Sequence, residues 1–450
     1  MSDRPPLPPG PYLVVGLRVS GAATARTLLS HGEVMGCDLG RPREAAGLSE
    51  AGVEVELESD GLELVRRAGT VVKSPGVPAP APAVAAARAR GIEVVGELEI
   101  AWRLIDAEFV GVTGTNGKTT TVELLGAIHR AGGVPVVVAG NVGTPLAELV
   151  GKRGDVVVCE ASSFQLEDAT AFAPEAAVLL NLSEDHIDRH GTFAAYRDAK
   201  LRIFARQRPE NVAVLPLELE PVGGTVARVV RFGRDEGAEL SCVGGKLRYE
   251  GSELLATEEI RLRGAHNLDN AMAAAATALA RGIAPEAVRE ALRTFPGVPH
   301  RLEEVAERDG VLFVNDSKAT NPDSARVGIE AFPGGVHVIL GGSLKGGSFR
   351  ALRAPVAARC RAGYLIGEAQ DRLAADLDGT VTLHRCGTLE HAVEAATAAA
   401  RPGETVLLSP ACASFDAFAN FEHRGDAFRE LARCLADTPR LSGDLARGTP

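Results

Sequence analysis

The chain has 450 residues, of which 45% are hydrophobic and 24% charged, and a formal net charge of −11. This is enough for roughly three domains of about 150 residues with sizeable cores, and the acidic balance argues against general nucleic-acid or anionic-membrane binding. Seven scattered cysteines without a C-x-x-C pair fit reduced thiols, no apolar run approaches the ~20 residues of a membrane span, and residues 1–10 lack the apolar core of a signal peptide, so a cytoplasmic monomer is expected.

Apolar strand-like runs alternate with helix-like segments nearly throughout, which predicts parallel α/β sheets. The first unit is Tyr12 to Gly16, then Ser20-Gly21 and an Ala/Leu-rich helix to Ser30, then a strand ending at Cys37-Asp38. It resembles the first half of a Rossmann unit, with Asp38 placed to meet a ribose. Arg18 stands where the middle glycine of that fingerprint would be, which weakens the motif. Val71 to Gly76 reads as another strand ending in a loop at the same sheet edge.

A boundary falls near Gly96, before a helix-like segment from Glu97 to Ile105. Val110-Gly111-Val112-Thr113-Gly114-Thr115-Asn116-Gly117-Lys118-Thr119-Thr120 then runs from a β-branched strand through glycines into a helix over Thr121 to Arg130. Glycines let backbone N–H groups fold around phosphate, the helix N-terminus adds positive potential, and Lys118 can reach the terminal phosphates. The Thr119 hydroxyl is a candidate Mg²⁺ ligand. The strict G-x-x-x-x-G-K-[ST] spacing is missed because Val112 occupies the first glycine position, so this is a variant phosphate loop. It predicts ATP binding; an ordinary Gly-rich turn is the alternative.

Strands follow at Val136 to Ala139, Val156 to Glu160 and Ala177 to Asn181, each ending in polar residues. Glu160, just past a buried strand, is a candidate metal ligand or else a helix cap. The run Asn181 to His190 is dense in carboxylates and imidazoles, suited either to metal and nucleotide or to solvent. Lys200 ends a helix-like segment from Phe193, where a surface charge is the ordinary expectation. Residues 209–259 read as irregular, Gly-rich short strands and turns. An Ala-rich helix spans Asn270 to Ala280, and Phe295 to Arg301 with two prolines reads as a linker.

A third α/β unit has strands at Val311 to Asn315, Val336 to Leu340, Gly363 to Ile366 and Thr405 to Ser409. Polar loops follow them: Asn315-Asp316-Ser317-Lys318-Ala319-Thr320-Asn321, Gly341 to Gly347, Ser409-Pro410-Ala411-Cys412-Ala413-Ser414-Phe415-Asp416 and Asn420-Phe421-Glu422-His423-Arg424-Gly425. Singly each is ordinary turn chemistry; together they form a ring suited to a small carboxylate-bearing substrate. Cys412 has no partnered histidine and is not read as a nucleophile.

Taken together, Gly-Thr-Asn-Gly-Lys-Thr-Thr, Glu-Asp-His-Ile-Asp-Arg-His and the C-terminal loops resemble the Mur ligase family, the ATP-dependent amino-acid ligases of peptidoglycan synthesis in the cell wall. The resemblance spans nearly the whole chain. It implies a Rossmann-like N-terminal domain for a UDP-sugar (1–96), a central phosphate-loop ATPase-like domain with a parallel sheet (97–298), and a C-terminal Rossmann-like domain for the amino acid (299–450). The Asn-Asp-Ser-Lys-Ala-Thr-Asn and Ser-Pro-Ala-Cys-Ala-Ser segments resemble the branch that adds D-glutamate to UDP-N-acetylmuramoyl-L-alanine through an acyl phosphate.

The resemblance also implies roles. Gly114, Thr115, Asn116, Gly117, Lys118, Thr119, Thr120, Asn270, Arg301 and Asp316 match ATP positions. Thr119, Glu160, His186 and Lys200 match the Mg²⁺ site, with Lys200 carried as a carbamate; Lys118, His186 and Lys200 are the catalytic set. Val19, Ser20, Asp38, Ser74 and Asn141 match the uridine-nucleotide site, and Thr320, Lys345, Ser414 and Phe421 the amino-acid site. Ser343-Leu344 before Lys345 departs from the family's Asp-Gly. A ligase for a different amino acid and a regulatory phosphate-loop NTPase are the alternative readings, with a non-catalytic UDP-sugar binder behind them.

Overall fold

The computed structural model describes residues 4–141, 143–152, 154–219, 225–344 and 348–437. The chain divides into two compact units, one of residues up to 261 together with 266–295, the other of 262–265 and residues from 296 onward. Three sheets with helices on their faces make up the α/β fold expected from the alternating pattern.

The first unit holds two sheets. One has five parallel strands, β1 (Tyr12–Val15), β2 (Val34–Asp38), β3 (Glu54–Leu57), β4 (Thr70–Lys73) and β5 (Glu93–Gly96), in the order β3-β2-β1-β4-β5. The order reverses between β1 and β4, and such a switch point opens a crevice at the carboxyl ends of the strands. Gly16 after β1 and Ser74 after β4 meet there, the Ser74 hydroxyl donating to the Gly16 carbonyl over 2.7 Å.

The other sheet contains β6 (Glu108–Thr113), β7 (Val136–Gly140), β8 (Val156–Glu160), β9 (Ala176–Leu179), β10 (Val212–Pro216), β11 (Arg228–Gly233), β12 (Leu240–Val243), β13 (Lys246–Tyr249) and β14 (Ser252–Ala256), in the order β14-β13-β12-β11-β10-β9-β6-β8-β7. β6 lies between β8 and β9, so the ends of those two strands flank the phosphate-loop sequence. The short strands expected within residues 209–259 are β10 to β14, and the structure adds that they join this sheet in register with one another. The glycines that made the segment look irregular are its turns. Gly244 and Gly245 join β12 to antiparallel β13 with φ of 59° and 75°, the left-handed values that a two-residue hairpin connection demands.

In the second unit β15 (Glu303–Arg308) pairs antiparallel with β16 (Val311–Asn315), and β17 (Val336–Gly341), β18 (Cys360–Ile366), β19 (Thr382–Gly387) and β20 (Thr405–Leu408) complete a sheet ordered β15-β16-β20-β17-β18-β19. Central strands β17 and β20 are buried on both faces, as parallel strands covered by helices require. Because β16, β17 and β20 run parallel, residues 315–321, 341–344 and 409–416 follow their strands at one end of this sheet.

Candidate functional site

β6 carries its chain into the loop Gly114 to Gly117, and the helix Lys118–Ala131 starts directly after it. Two glycines are needed for shape. Gly117 has φ 85°, and a Cβ there would sit 2.1 Å from the Asn270 side-chain oxygen; a Cβ on Gly114 would meet Leu180 at 2.9 Å. The left-handed turn at Gly117 lets the backbone fold over Asn270 without a side chain in the way. Asn270 in turn donates to Asn267 over 3.1 Å.

Asn181, just beyond β9, clamps the loop from the side. It accepts from the Asn116 N–H at 2.9 Å and donates to the Asn116 carbonyl at 3.1 Å, while its own carbonyl accepts from the Thr115 N–H. The Thr115 hydroxyl lies 3.0 Å from the Tyr196 hydroxyl. The loop is thus held before any ligand arrives. Neither Asn181 nor Tyr196 was singled out from the sequence, although Asn181 sat in the polar cluster and could have been found from its place at a strand end.

The Lys118 ammonium donates to the Gly114 and Thr115 carbonyls, both at 2.9 Å, and lies across the mouth of the loop. Lys200 reaches the same Gly114 carbonyl over 2.7 Å, its ammonium 4.7 Å from the centre of the Tyr196 ring. Contrary to the surface charge expected of a helical lysine, Lys200 is 2% exposed. The helix Phe193–Leu201 turns Tyr196, Ala199 and Lys200 inward beneath the loop. Burial lowers the Lys200 pKa to about 7, and the neighbouring Lys118 charge pushes the same way.

The Thr119 hydroxyl donates to one Glu160 oxygen at 2.9 Å and the Asn141 amide to the other at 3.1 Å. Glu160 is 2% exposed, so it is neither a helix cap nor a solvated group; the cap of the following helix is Ser162, paired with Gln165. Buried carboxylate and hydroxyl oxygens side by side fit Mg²⁺. His186 makes its contacts elsewhere: it is half exposed, stands 3.5 Å from Asp185, and its ring centre lies 4.8 Å from that of Phe164. Among the described residues no group of three or more His, Cys, Asp or Glu side chains is assembled for a metal. Thr120 is buried in the first turn of the helix.

Beside Gly117 opens a cavity of ≈330 Å³ walled by Asn181, Leu219, Phe232, Arg234, Asp269 and Asn270. Leu219, Phe232 and Arg234 come from the stretch 209–259, where short strands and turns were expected but no site residue.

At the crevice of the first sheet, Val19 and Ser20 begin the helix Val19–Leu28, and Val19 is 52% exposed. Asp38 ties the two loops of this edge together, accepting from the Leu17 N–H and the Gly40 N–H, each at 2.8 Å. Arg18, in place of the fingerprint glycine, is exposed and caps the helix through its backbone alone.

In the second unit Asp316 is buried, accepts from the Ser409 hydroxyl at 2.7 Å and has its pKa pushed up to about 7 by desolvation. Arg301 lies in a tight turn whose neighbours His300 and Leu302 take φ of 63° and 46°. Ser414 is buried and Thr320 half-buried, and Phe421 opens the helix Phe421–Asp437, with the Lys318 ammonium 5.3 Å from its ring centre. Lys345 lies outside the described residues. Arg424, within the Asn420 to Gly425 loop, was not singled out from the sequence: its guanidinium is buried and donates to the Ser317 hydroxyl and to the carbonyls of Ser317, Gly341, Cys412 and Ala413. One side chain thereby pins three of the polar loops. Cys412 is buried and its thiol is pushed up to about 12, far from a nucleophile's range.

Comparison with known proteins adds to this geometry. Residues 11–96 match a Mur ligase MurD-like N-terminal domain, 112–278 a Mur ligase middle domain and 300–412 a Mur ligase glutamate ligase domain. The chain is 44% identical over 440 residues to a UDP-N-acetylmuramoylalanine–D-glutamate ligase of Acidobacterium capsulatum, covering 93% of this chain and 95% of that protein. It is 42% identical over 439 residues to the enzyme of the same name from Solibacter usitatus, covering 94% and 97%. Among solved structures, a MurF ligase from Thermotoga maritima in complex with ADP shares the fold with a TM-score of 0.59 at 19% identity, covering 90% of this chain and 97% of that one.

Proposed function

Since the chain belongs to the Mur ligase family, we propose that it joins D-glutamate to UDP-N-acetylmuramoyl-L-alanine with ATP, releasing ADP and phosphate, in peptidoglycan precursor synthesis. The likeness to D-glutamate ligases along nearly the whole chain carries this reading. We read residues 1–96 as the UDP-sugar domain, 97–298 as the ATP domain and 299–450 as the amino-acid domain.

A carboxylate is a poor electrophile, so the acceptor's alanyl carboxylate takes the terminal phosphoryl group of ATP to become an acyl phosphate. The amine of D-glutamate then attacks that carbonyl, and the tetrahedral oxyanion collapses with loss of phosphate. Gly114 to Gly117 would cradle the phosphates with backbone N–H groups, and Lys118 would swing from its two carbonyls to the transferring phosphoryl oxygens, where charge builds up. Asn270 and the cavity beside Gly117 would take the nucleoside, and Arg301 and Asp316 are read as further nucleotide positions carried by the C-terminal domain.

Thr119 and Glu160 would hold Mg²⁺, which when bound supplies charge neutralisation at the phosphates. His186 would complete that site on ligand binding. A Lys200 amine that titrates near neutrality can add CO₂, forming an N–C bond and losing a proton, which replaces a cation by an anion facing the metal position. Val19, Ser20, Asp38, Ser74 and Asn141 would receive the uridine nucleotide, and Thr320, Lys345, Ser414 and Phe421 the D-glutamate. A cytoplasmic monomer is part of the same reading.

The test is phosphate release from ATP and Mg²⁺ with UDP-N-acetylmuramoyl-L-alanine, with and without D-glutamate, L-glutamate or other amino acids. Release that depends on D-glutamate and yields the amide is the expected result. Dependence on a different amino acid would keep the ligase and change its substrate, and release indifferent to both acceptors would overturn the reading in favour of an NTPase.

A further inference from the structure

The loop Ser74 to Val77, at the crevice of the first sheet, is held by cations from two directions. Lys73, itself buried against Asp168 at 2.8 Å, donates to the Val77 carbonyl over 3.0 Å. Arg189 donates to the same carbonyl over 2.8 Å, although it is 112 residues away and belongs to the Asp-His-Ile-Asp-Arg-His segment. Its guanidinium carbon lies over Phe164, 3.9 Å from the ring centre. The same ring also meets histidines: His186 lies 4.8 Å away centre to centre, and His190 stacks at 5.3 Å with a ring nitrogen 3.0 Å from the Ser163 hydroxyl. A continuous chain of contacts therefore runs from the Ser74–Val77 loop through Arg189 and Phe164 to His186.

We propose that Arg189 is a positioning residue that couples the uridine-nucleotide loop to His186, so that acceptor binding and Mg²⁺·nucleotide binding strengthen one another. The proposal rests on the functional reading above. The physical basis is that guanidinium–arene packing and a charge-assisted hydrogen bond are both directional. A shift of the Val77 carbonyl when the acceptor seats against Ser74 moves the guanidinium, and with it the ring that sets the place of His186. His186 itself has φ 52°, a left-handed conformation that an L residue keeps only when its surroundings hold it there.

Coupling is measured by calorimetry as the ratio of affinities for Mg²⁺ with a non-hydrolysable ATP analogue, in the presence and absence of saturating UDP-N-acetylmuramoyl-L-alanine. In the wild type the ratio is expected at about 5-fold or more. In Arg189→Ala it should fall to near one, while each ligand alone binds within about twofold of the wild type; Arg189→Lys, which keeps the charge but not the planar stack, should recover only part of it. Phe164→Leu is the second variant, because it leaves the bond to Val77 in place and removes only the ring; it should lose the coupling too. A residue that merely ties the fold together would lower the melting temperature and leave the ratio untouched, and an unchanged ratio in either variant overturns the proposal. A wild type that binds both ligands without coupling overturns it alone, whereas a wild type that binds the nucleotide analogue and not the acceptor overturns the functional reading as well.

Discussion

Lys200 gives the sharpest quantitative expectation. Only a neutral amine adds CO₂, so the carbamate role depends on how much of Lys200 is unprotonated near pH 7.5. With its pKa lowered from 10.5 to about 7, roughly three quarters of the side chain is neutral at that pH, against about one part in a thousand for an ordinary lysine. Burial and the adjacent Lys118 thus raise the reactive fraction by a factor of several hundred. The assay is carbon-13 NMR of the protein in labelled bicarbonate between pH 6 and 9. A carbamate signal is expected that grows through pH 7, is absent from Lys200→Ala and disappears on acidification. Short-chain carboxylates should restore part of the activity of Lys200→Ala by supplying the missing anion. No signal in the wild type at pH 8, or an equal signal in the alanine variant, would refute the reasoning. The same shift has a consequence for stability. The unfolded chain holds this proton up to about 10.5 and the folded one only to about 7, so this group's contribution to stability rises with pH across that window. Lys200→Met should remove that rise, as read from melting temperatures at pH 7 and pH 9.

Three further outcomes are expected. Lys118→Ala should abolish turnover while leaving the affinity for the UDP acceptor within about twofold by calorimetry, because Lys118 opens the helix after β6 whereas the proposed uridine crevice lies at the first sheet; a large loss of acceptor affinity would contradict the assignment of the two sites. Gly117→Ala puts a methyl 2.1 Å from the Asn270 oxygen at φ 85°, and overpacking of about 1–3 kcal/mol together with left-handed strain should weaken nucleotide use by ~10-fold or more; wild-type steady-state kinetics would count against the loop geometry. Asp168→Asn leaves the Lys73 ammonium buried without its carboxylate at 2.8 Å, and should cost about 3–5 kcal/mol in denaturant unfolding; an unchanged midpoint would show that the pair contributes no net stability.

The geometry of the candidate phosphate loop is legible in the chain because it is local. Gly114, Gly117, Lys118 and Thr119 are consecutive or nearly so, and their chemistry follows from a strand, two glycines and a helix start. Alternating apolar runs determine the parallel sheets in the same way, since the period of the pattern is set by neighbouring residues. What the sequence could not decide is whatever depends on distant segments meeting. Lys200 reads as a surface lysine until its helix is packed beneath a loop 86 residues earlier in the chain. Residues 209–259 read as short strands and turns, but which sheet those strands join is not written locally, because the pairing of β10 with β9 is long-range. Arg424 looks like one more loop cation, yet its role comes from carbonyls contributed by three separate loops. Propensity and motif spacing act over a few residues, whereas burial, and the pKa shifts and hydrogen bonds that follow from it, exist only once the tertiary structure has excluded water.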